Sequence, residues 1–539
     1  MNQNSSSRFT PILLALCLVA GILIGTFYAN HFSGNRLNII NTNSNKVNDL
    51  LRIIDDQYVD TVNMTELVEQ AMPRILAELD PHSGYIRAKD AEASVESLKG
   101  SFSGIGVSFT KQNDTARIIS VIKGGPSEKV GLLAGDRIVN VDGKDITAKE
   151  ITAEDCMKLM KGKKGTKVKL GIQRMGEKKP LYYTITRGDI PVHSIEATYM
   201  LTPETGYVKI KSFSETTYPE LLVALAELNQ KGFKNLVIDL RDNTGGIMQT
   251  AIQMANIFLP KNRLILYTEG RKFPREEYKS DGRGAFPNLP LTVLVNEGSA
   301  SASEIVSGAL QDWDRAIIVG RRSFGKGLVQ RQYLLPDGSA LRLVIARYHT
   351  PSGREIQRPY VKGGDRTAYR THSLPDTIPS PAYRTLRTGR TVYGGGGIAP
   401  DVCVIQDTVQ ASYLNALLRK NIFPEFMQHY LDRTRAALER DYPEFASFEE
   451  RFEVPDEMYE ELIGLGLEQG VTPPAEDSDV EAGTRRLLKA LLAERLFDRE
   501  ALLRILHARD DADFIRALNL LKNWEAEGLP LLEAQHERQ

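Results

Sequence analysis

The sequence predicts a multidomain α+β protein, and three observations carry that reading. Residues 47–98 and 407–539 place apolar side chains at helical spacing, as in Val47, Leu50, Leu51 and Ile54. Residues 102–187 set glycine turns between short strand-like runs, and residues 190–404 alternate strand-like with helix-like runs. The expected order is an N-terminal helical segment, a β-rich module, an α/β core and an all-α C-terminal extension. Boundaries fall near 1–30, 31–100, 101–188, 189–406 and 407–539. The 539 residues leave room for about three or four domains. With 68 basic against 69 acidic residues and no long single-sign run, nothing here provides a field for nucleic acid.

Residues 10–29 form the strongly apolar run of the chain, preceded by Arg8 and followed by Asn-rich sequence to about Asn48. About 20 residues span a bilayer as a helix. Phe27-Tyr28-Ala29 is a poor small-x-small cleavage site, and Leu16 before Cys17 spoils a lipoprotein signal. The expectation is an uncleaved signal-anchor that tethers the chain to a membrane and exports the rest; a cleaved signal peptide is the rival. Cys17, Cys156 and Cys403 are far apart and match no metal or disulfide framework, so all three read as small buried hydrophobes.

After the helical residues Leu67, Ala71, Ile75 and Leu79 comes L-D-P-H-S at 79–83. His82, beside a proline, reads as part of a turn rather than as a base. The module that follows carries S-G-I-G-V at 103–107, G-P-S-E-K-V-G at 125–131 and G-D-R-I-V-N-V-D-G at 135–143. In the core, Tyr207 to Ile210 reads as a strand and Tyr218 to Gln230 as an amphipathic helix. Leu236 to Leu240 is a buried strand ending in R-D-N-T-G-G at 241–246.

Chemistry concentrates further on. V-L-V-N-E-G-S-A-S-A-S-E at 293–304 reads as a buried strand, a tight turn and a helix start. That setting can stand a serine hydroxyl above a sheet, beside the free N–H groups of a helix N-terminus. Ser301 to Glu304 is also an S-x-x-E capping box, the commoner role for a serine at a helix start. The second stretch is S-F-G-K-G-L-V-Q at 323–330. Its S-x-x-K spacing would require one helical turn, against which the glycines flanking Lys326 argue.

Together these strings resemble the C-terminal processing peptidases, or tail-specific proteases. The resemblance covers about residues 47–404 and extends through Y-H-T-P-S-G-R-E-I-Q at 348–357 and G-G-G-G-I-A-P-D at 394–401. It implies Ser301 as nucleophile, Lys326 as general base and Gln330 as the residue that orients the lysine. It also implies the N–H groups of Gly246 and Ala302 as the oxyanion hole. It makes the module a PDZ domain, with Gly104, Ile105, Gly106 and Val107 as its carboxylate-binding loop, and the core a serine–lysine protease. His349 stands where an aromatic residue is expected and invites a serine–histidine alternative, though Tyr348-His349 before Thr-Pro reads as a strand end.

The residue types suit that chemistry. An amine removes a proton only when neutral, and free lysine titrates near about 10.4. A base working near about 7–8 must therefore be lowered by about 3, or roughly 4 kcal/mol of bias against the ammonium. The apolar Phe324, Leu328 and Val329 around Lys326 are compatible with such desolvation. In the binding loop, glycines let successive N–H groups converge on a terminal carboxylate while a peptide adds as an edge strand.

The expected function is a membrane-tethered serine endopeptidase on the periplasmic side of a bacterial-type envelope. Its partners are protein or peptide substrates with free C-terminal tails, and it needs no cofactor or metal. The alternatives are a catalytically silent PDZ scaffold and a non-peptidase hydrolase on the same core. The C-terminal helices read as ordinary core or as an assembly surface for a homo-oligomer or adaptor, with no chemistry of their own.

Overall fold

The computed structural model describes residues 19–21, 36–112, 115–148, 150–371, 381–405, 408–474, 478–507 and 511–533. The expected signal-anchor lies outside the described residues except for 19–21. Among the described residues no helix is long and apolar enough to cross a membrane. The chain divides into two units, Met1–Leu79 and Asp80–Gln539. The division falls inside the expected N-terminal segment and assigns four of the five L-D-P-H-S residues to the second unit.

In the first unit, helices Arg36–Gln57 and Met64–Ala77 match the apolar spacing. The first begins inside the Asn-rich stretch read as a linker. Once nucleated by its apolar half, a helix gains one bond per added residue and so extends through weak formers. Asn63 caps the second helix by accepting the Glu66 N–H at 3.1 Å.

The second unit begins with the β-rich module. Strands Val107–Gln112, Thr115–Val121, Arg137–Val141, Lys167–Gln173 and Leu181–Thr186 form one antiparallel sheet in that order. Val107–Gln112 is therefore an edge strand. Helix Ala153–Met160 starts from a capping box between Thr152 and Asp155 and contributes Cys156 and Met160 to the module's core. Strand Ser101–Gly104 pairs with Gly188–Pro191 where the chain enters and leaves.

The α/β core is a six-stranded sheet in the order Ile195–Met200, Thr205–Ile210, Asn235–Asp239, Leu291–Val295, Ile317–Gly320, Val402–Cys403. The first pair is antiparallel and the others parallel. Parallel strands need cover on both faces, and strand alternation divides the side chains between two cores. Val208, Ile210, Leu236, Ile238, Val293 and Val295 pack with helices Thr217–Gln230, Met248–Phe258 and Ala302–Asp312. Tyr199, Tyr207, Val237, Leu294, Ile317 and Val319 pack instead with the C-terminal helices. Those helices are thus core of the same unit as the sheet. Asp456–Glu468 starts directly after Pro455, and Ser478–Leu496 follows the Pro473-Pro474 break.

A second, antiparallel sheet runs Gly84–Ile86, Ala340–His349, Leu264–Gly270, Phe273–Lys279, with Leu328–Leu334 paired to Ala340–His349. It carries Gln330 and Tyr348. Cys156 is buried as expected, but Cys403 is exposed, because its two-residue strand forms the outer edge of the core sheet. Cys17 lies outside the described residues.

Candidate active site

Strand Leu291–Val295 ends at the C-terminal edge of the parallel sheet, and residues 296–301 turn into helix Ala302–Asp312. Three alternate serines line this turn. Ser299 Oγ donates to Leu240 O at 2.8 Å and accepts the Asn296 N–H at 2.9 Å. Ser303 Oγ donates to Asn243 O at 2.8 Å. Both are fully buried, whereas Ser301 is half-buried and its hydroxyl donates to no acceptor among the described residues. Its backbone sits at φ 55°, ψ −111°. A non-glycine residue in so sparse a region costs on the order of 1–3 kcal/mol, which the surroundings must over-determine.

Glu304 does much of that. It supplies the return bond of a capping box: Glu304 Oε2 accepts the Ser301 N–H at 2.8 Å. The same oxygen accepts the Lys326 N–H at 2.9 Å, while Oε1 accepts the Gly325 N–H at 2.7 Å and the Ser323 hydroxyl at 2.5 Å. Ser301 and Lys326 thus hang from one oxygen, and their backbone nitrogens can be no farther apart than those two bonds laid end to end. Burial pushes the Glu304 carboxyl up, and its four hydrogen bonds pull the other way. With two donors on each oxygen, the bonding pattern is that of the carboxylate. Tyr348 adds a second tie. Its hydroxyl lies 2.6 Å from Lys326 O and 3.1 Å from Ser301 O, and burial keeps it protonated by raising it well above the phenol range.

Turn 241–246 lies against Ser301. A Cβ on Gly245, which has φ +96°, would come within 2.7 Å of Ala300 O and Ser301 Cβ and 2.8 Å of Ala302 N. The Gly245 N–H is taken by Asn243 Oδ1 at 2.9 Å. The N–H groups of Gly246 and Ala302 donate to no acceptor among the described residues, which leaves both for an oxyanion. Gly246 is seated by strand-like bonding around it: Phe213 N–H donates to Gly245 O, and Ile247 N–H to Phe213 O. Fully buried Asn243 pins this turn to the turn at 296–301. Its carbonyl accepts from Ala300 N and Ser303 Oγ, and its amide donates to Ile210 O.

Residues 323–326 are irregular, not the helical turn an S-x-x-K serine would require, and strand Leu328–Leu334 follows. Lys326 Nζ donates to Gln330 Oε1 at 2.7 Å. Gln330 Nε2 donates to the His82 carbonyl at 2.8 Å. A carbonyl can only accept, so it fixes which end of the Gln330 amide faces the lysine. Asp80 braces this segment by accepting from His82 N, Ser83 N and Ser83 Oγ. The His82 imidazole turns instead to Tyr369, 3.2 Å from its hydroxyl. His349 follows Tyr348 on one strand and so faces the other way, stacked on Tyr267 with ring centroids 4.7 Å apart. The structure thus gathers Ser301, Lys326, Gln330, Gly246 and Ala302, and leaves His82 and His349 in other roles. Residues 104–107 lie on the β-rich module.

Residues 204–363 match peptidase family S41, residues 103–183 match the PDZ domain family, and residues 413–498 match a family of unknown function. The chain is 39% identical over 315 residues to the carboxy-terminal-processing protease of Bartonella bacilliformis, covering 57% of this chain and 71% of that protein. Those values show the family. The chain belongs to the S41 carboxy-terminal-processing proteases. It is a serine-type peptidase with a PDZ domain. A probable CtpA-like serine protease of Staphylococcus aureus is 33% identical over 397 residues, 71% of this chain and 76% of that one. The solved photosystem II D1 C-terminal processing protease is 27% identical with a TM-score of 0.35, covering 66% of this chain and 91% of that one.

The sequence reading missed Asn243, Tyr348 and the carbonyl of His82, and took Glu304 only as a capping partner. The spacing of Glu304 from Ser301 was the one available signal.

Proposed function

We propose that this S41 peptidase is an endopeptidase that takes the free C-terminal tails of exported proteins on its PDZ domain. It cleaves them upstream through an acyl-enzyme on Ser301. One observation carries the catalytic half: of the three serines in the turn, only Ser301 has a hydroxyl that donates to no acceptor among the described residues, and Glu304 ties its backbone N–H to that of Lys326. Neutral Lys326 takes the hydroxyl proton as Oγ bonds to the scissile carbonyl carbon. The carbonyl oxygen, now an oxyanion, is held by the N–H groups of Gly246 and Ala302. The C–N bond then breaks, and Lys326 returns the proton to the leaving amine. Water repeats the sequence to release the acyl group as a carboxylic acid. Gln330 holds one amine N–H, which leaves the amine's lone pair only the two remaining staggered positions. The apolar run at 10–29 supports the exported, membrane-tethered, periplasmic reading.

Gln330→Glu tests the amide's part. A carboxylate there would set an oxygen against the His82 carbonyl and favour the ammonium form of Lys326. The expected result is a pH–rate profile whose acid limb moves to higher pH, with kcat/KM near neutrality down on the order of tenfold. An unmoved limb contradicts the role.

Two features of the PDZ domain support tail capture. Val107–Gln112 is an edge strand that an extended peptide can join, and the N–H groups of Ile105 and Gly106 donate to no acceptor among the described residues. Gly106 has φ +78°, and a Cβ there would stand 3.0 Å from Ile190 Cδ1. A hydrogen bond to a charged group contributes roughly 1.5–3 kcal/mol, so amidating a substrate's C-terminus should weaken capture on the order of tenfold or more. The experiment compares cleavage of a denatured reporter with free-acid and amidated tails below saturation, with Gly106→Leu as the matching protein variant. Equal rates for the two tails would remove the tail-reading role.

A further inference from the structure

The C-terminal helices do more than cover the sheet. Asp511, at the start of helix Ala512–Lys522, accepts the Phe514 N–H at 3.1 Å as that helix's cap. Its two oxygens also receive both terminal nitrogens of Arg241, at 2.6 and 2.7 Å. Asp513 accepts from Arg241 Nη1 at 3.3 Å and from Arg321 Nη1 at 3.1 Å. Arg321 in turn donates through Nε to Glu297 Oε1 at 3.0 Å.

The three partners have one thing in common. Arg241 opens the turn that ends in Gly246, Glu297 stands in the turn that ends in Ser301, and Arg321 opens the loop that ends in Lys326. Each catalytic loop is therefore gripped near its first residues by one network, and that network's anchor lies in the C-terminal region. Arg241 is further fixed by Asp239, which receives its backbone N–H at 2.9 Å and Nη2 at 2.7 Å. Burial works to raise the Asp239 carboxyl, but Arg241 and Lys209 outweigh it and hold it well below the carboxylate range. The Asp513 side chain is only 5% exposed and that of Arg241 13%. Water therefore competes little for these contacts, and fixed geometry rather than surface charge is what they supply.

We infer that Asp511 and Asp513 are positioning residues for catalysis, through which the C-terminal helical region sets the oxyanion turn against the nucleophile and lysine loops. The region is then part of the catalytic machinery and not an accessory to it. The inference rests on the serine–lysine reading above.

The test uses the full-length chain and an unstructured peptide substrate that reports kcat and KM separately. Asp511→Asn and Asp513→Asn should each lower kcat on the order of ten- to a hundredfold, since misplacing reacting groups by about 1 Å has effects of that size. KM should stay near wild type, because neither residue belongs to the PDZ domain. Asp513→Glu, which keeps the charge, should recover part of the loss, as a merely space-filling role would not. Arg499→Ala breaks a pair between the same helical region and Glu196 on the first core strand. It should leave kcat unchanged. Should Asp513→Asn fail to fold by circular dichroism, Arg321→Gln cuts the same link from the partly exposed side and decides the matter. Folded variants with wild-type kcat, or an equal loss in Arg499→Ala, overturn the inference. Lys326→Ala in the same assay separates the two readings: if it stays active, the serine–lysine reading itself has failed.

Discussion

Ser301→Ala and Lys326→Ala will each remove peptidase activity by at least on the order of 10⁴-fold, and the double variant will lose no more than either alone. A nucleophile and its base act as a unit, so their losses do not add. Lys326→Arg will be as inactive as the alanine variant although it keeps the charge, because a guanidinium cannot give up its proton in this pH range. In the wild type, kcat/KM will rise as Lys326 loses its proton with increasing pH and then level off. Ser303→Ala will keep most activity: its hydroxyl holds the Asn243 carbonyl, a bond contributing about 1 kcal/mol to stability. His349→Ala will keep it too, since that ring stacks on Tyr267 on the side of the strand away from Tyr348. Circular dichroism and thermal midpoints show whether each variant is folded. An active arginine variant at position 326 would rule out general-base catalysis by this lysine.

Glu304→Gln will reduce kcat/KM on the order of 100-fold in a protein that still folds. The glutamine keeps the shape, but its NH2 group meets two of the four donors that now converge on the carboxylate. Those donors are the backbone of Ser301, Gly325 and Lys326 and the hydroxyl of Ser323, so nucleophile and base should shift relative to each other. A buried donor left without its acceptor costs about 1–3 kcal/mol, and Glu304→Ala would orphan all four. The isosteric change is therefore the informative one. Steady-state kinetics beside a thermal melt separates lost alignment from lost fold, and wild-type kcat/KM in Glu304→Gln would show that the carboxylate only caps its helix.

The candidate site residues were legible because each lies in a short local string. V-L-V-N-E-G-S-A-S-A-S-E states a strand, a turn and a helix start, and S-F-G-K-G-L-V-Q carries Lys326 and Gln330 within one short string. The helical extension and the alternation of the core strands were legible for the same reason, as periodicity is a local property. What supports the site was not. Glu304 gains its meaning only when residues 323–326 fold back onto it, and Tyr348 only when a strand of the second sheet brings its hydroxyl to the carbonyls of Ser301 and Lys326. His82 contributes a carbonyl, which carries no side-chain signature at all, so the question put to its imidazole was the wrong one. Asp511 and Asp513 lie more than 180 residues beyond Lys326 in an ordinary amphipathic helix region, where acidic residues at a helix start read as caps. Asp511 is indeed a cap, and the same carboxylate also holds Arg241. Cys403 was misread because cysteine's usual burial says nothing about whether its strand ends a sheet.

The most direct test of the account traps the acyl-enzyme. Wild-type protein mixed with excess peptide substrate, quenched in acid within the first turnovers and digested, is analysed by mass spectrometry. The account predicts that the N-terminal product fragment is esterified to the peptide carrying Ser301, and that this adduct is absent from Lys326→Arg. Turnover with no adduct on Ser301, or an adduct on another side chain, would contradict it.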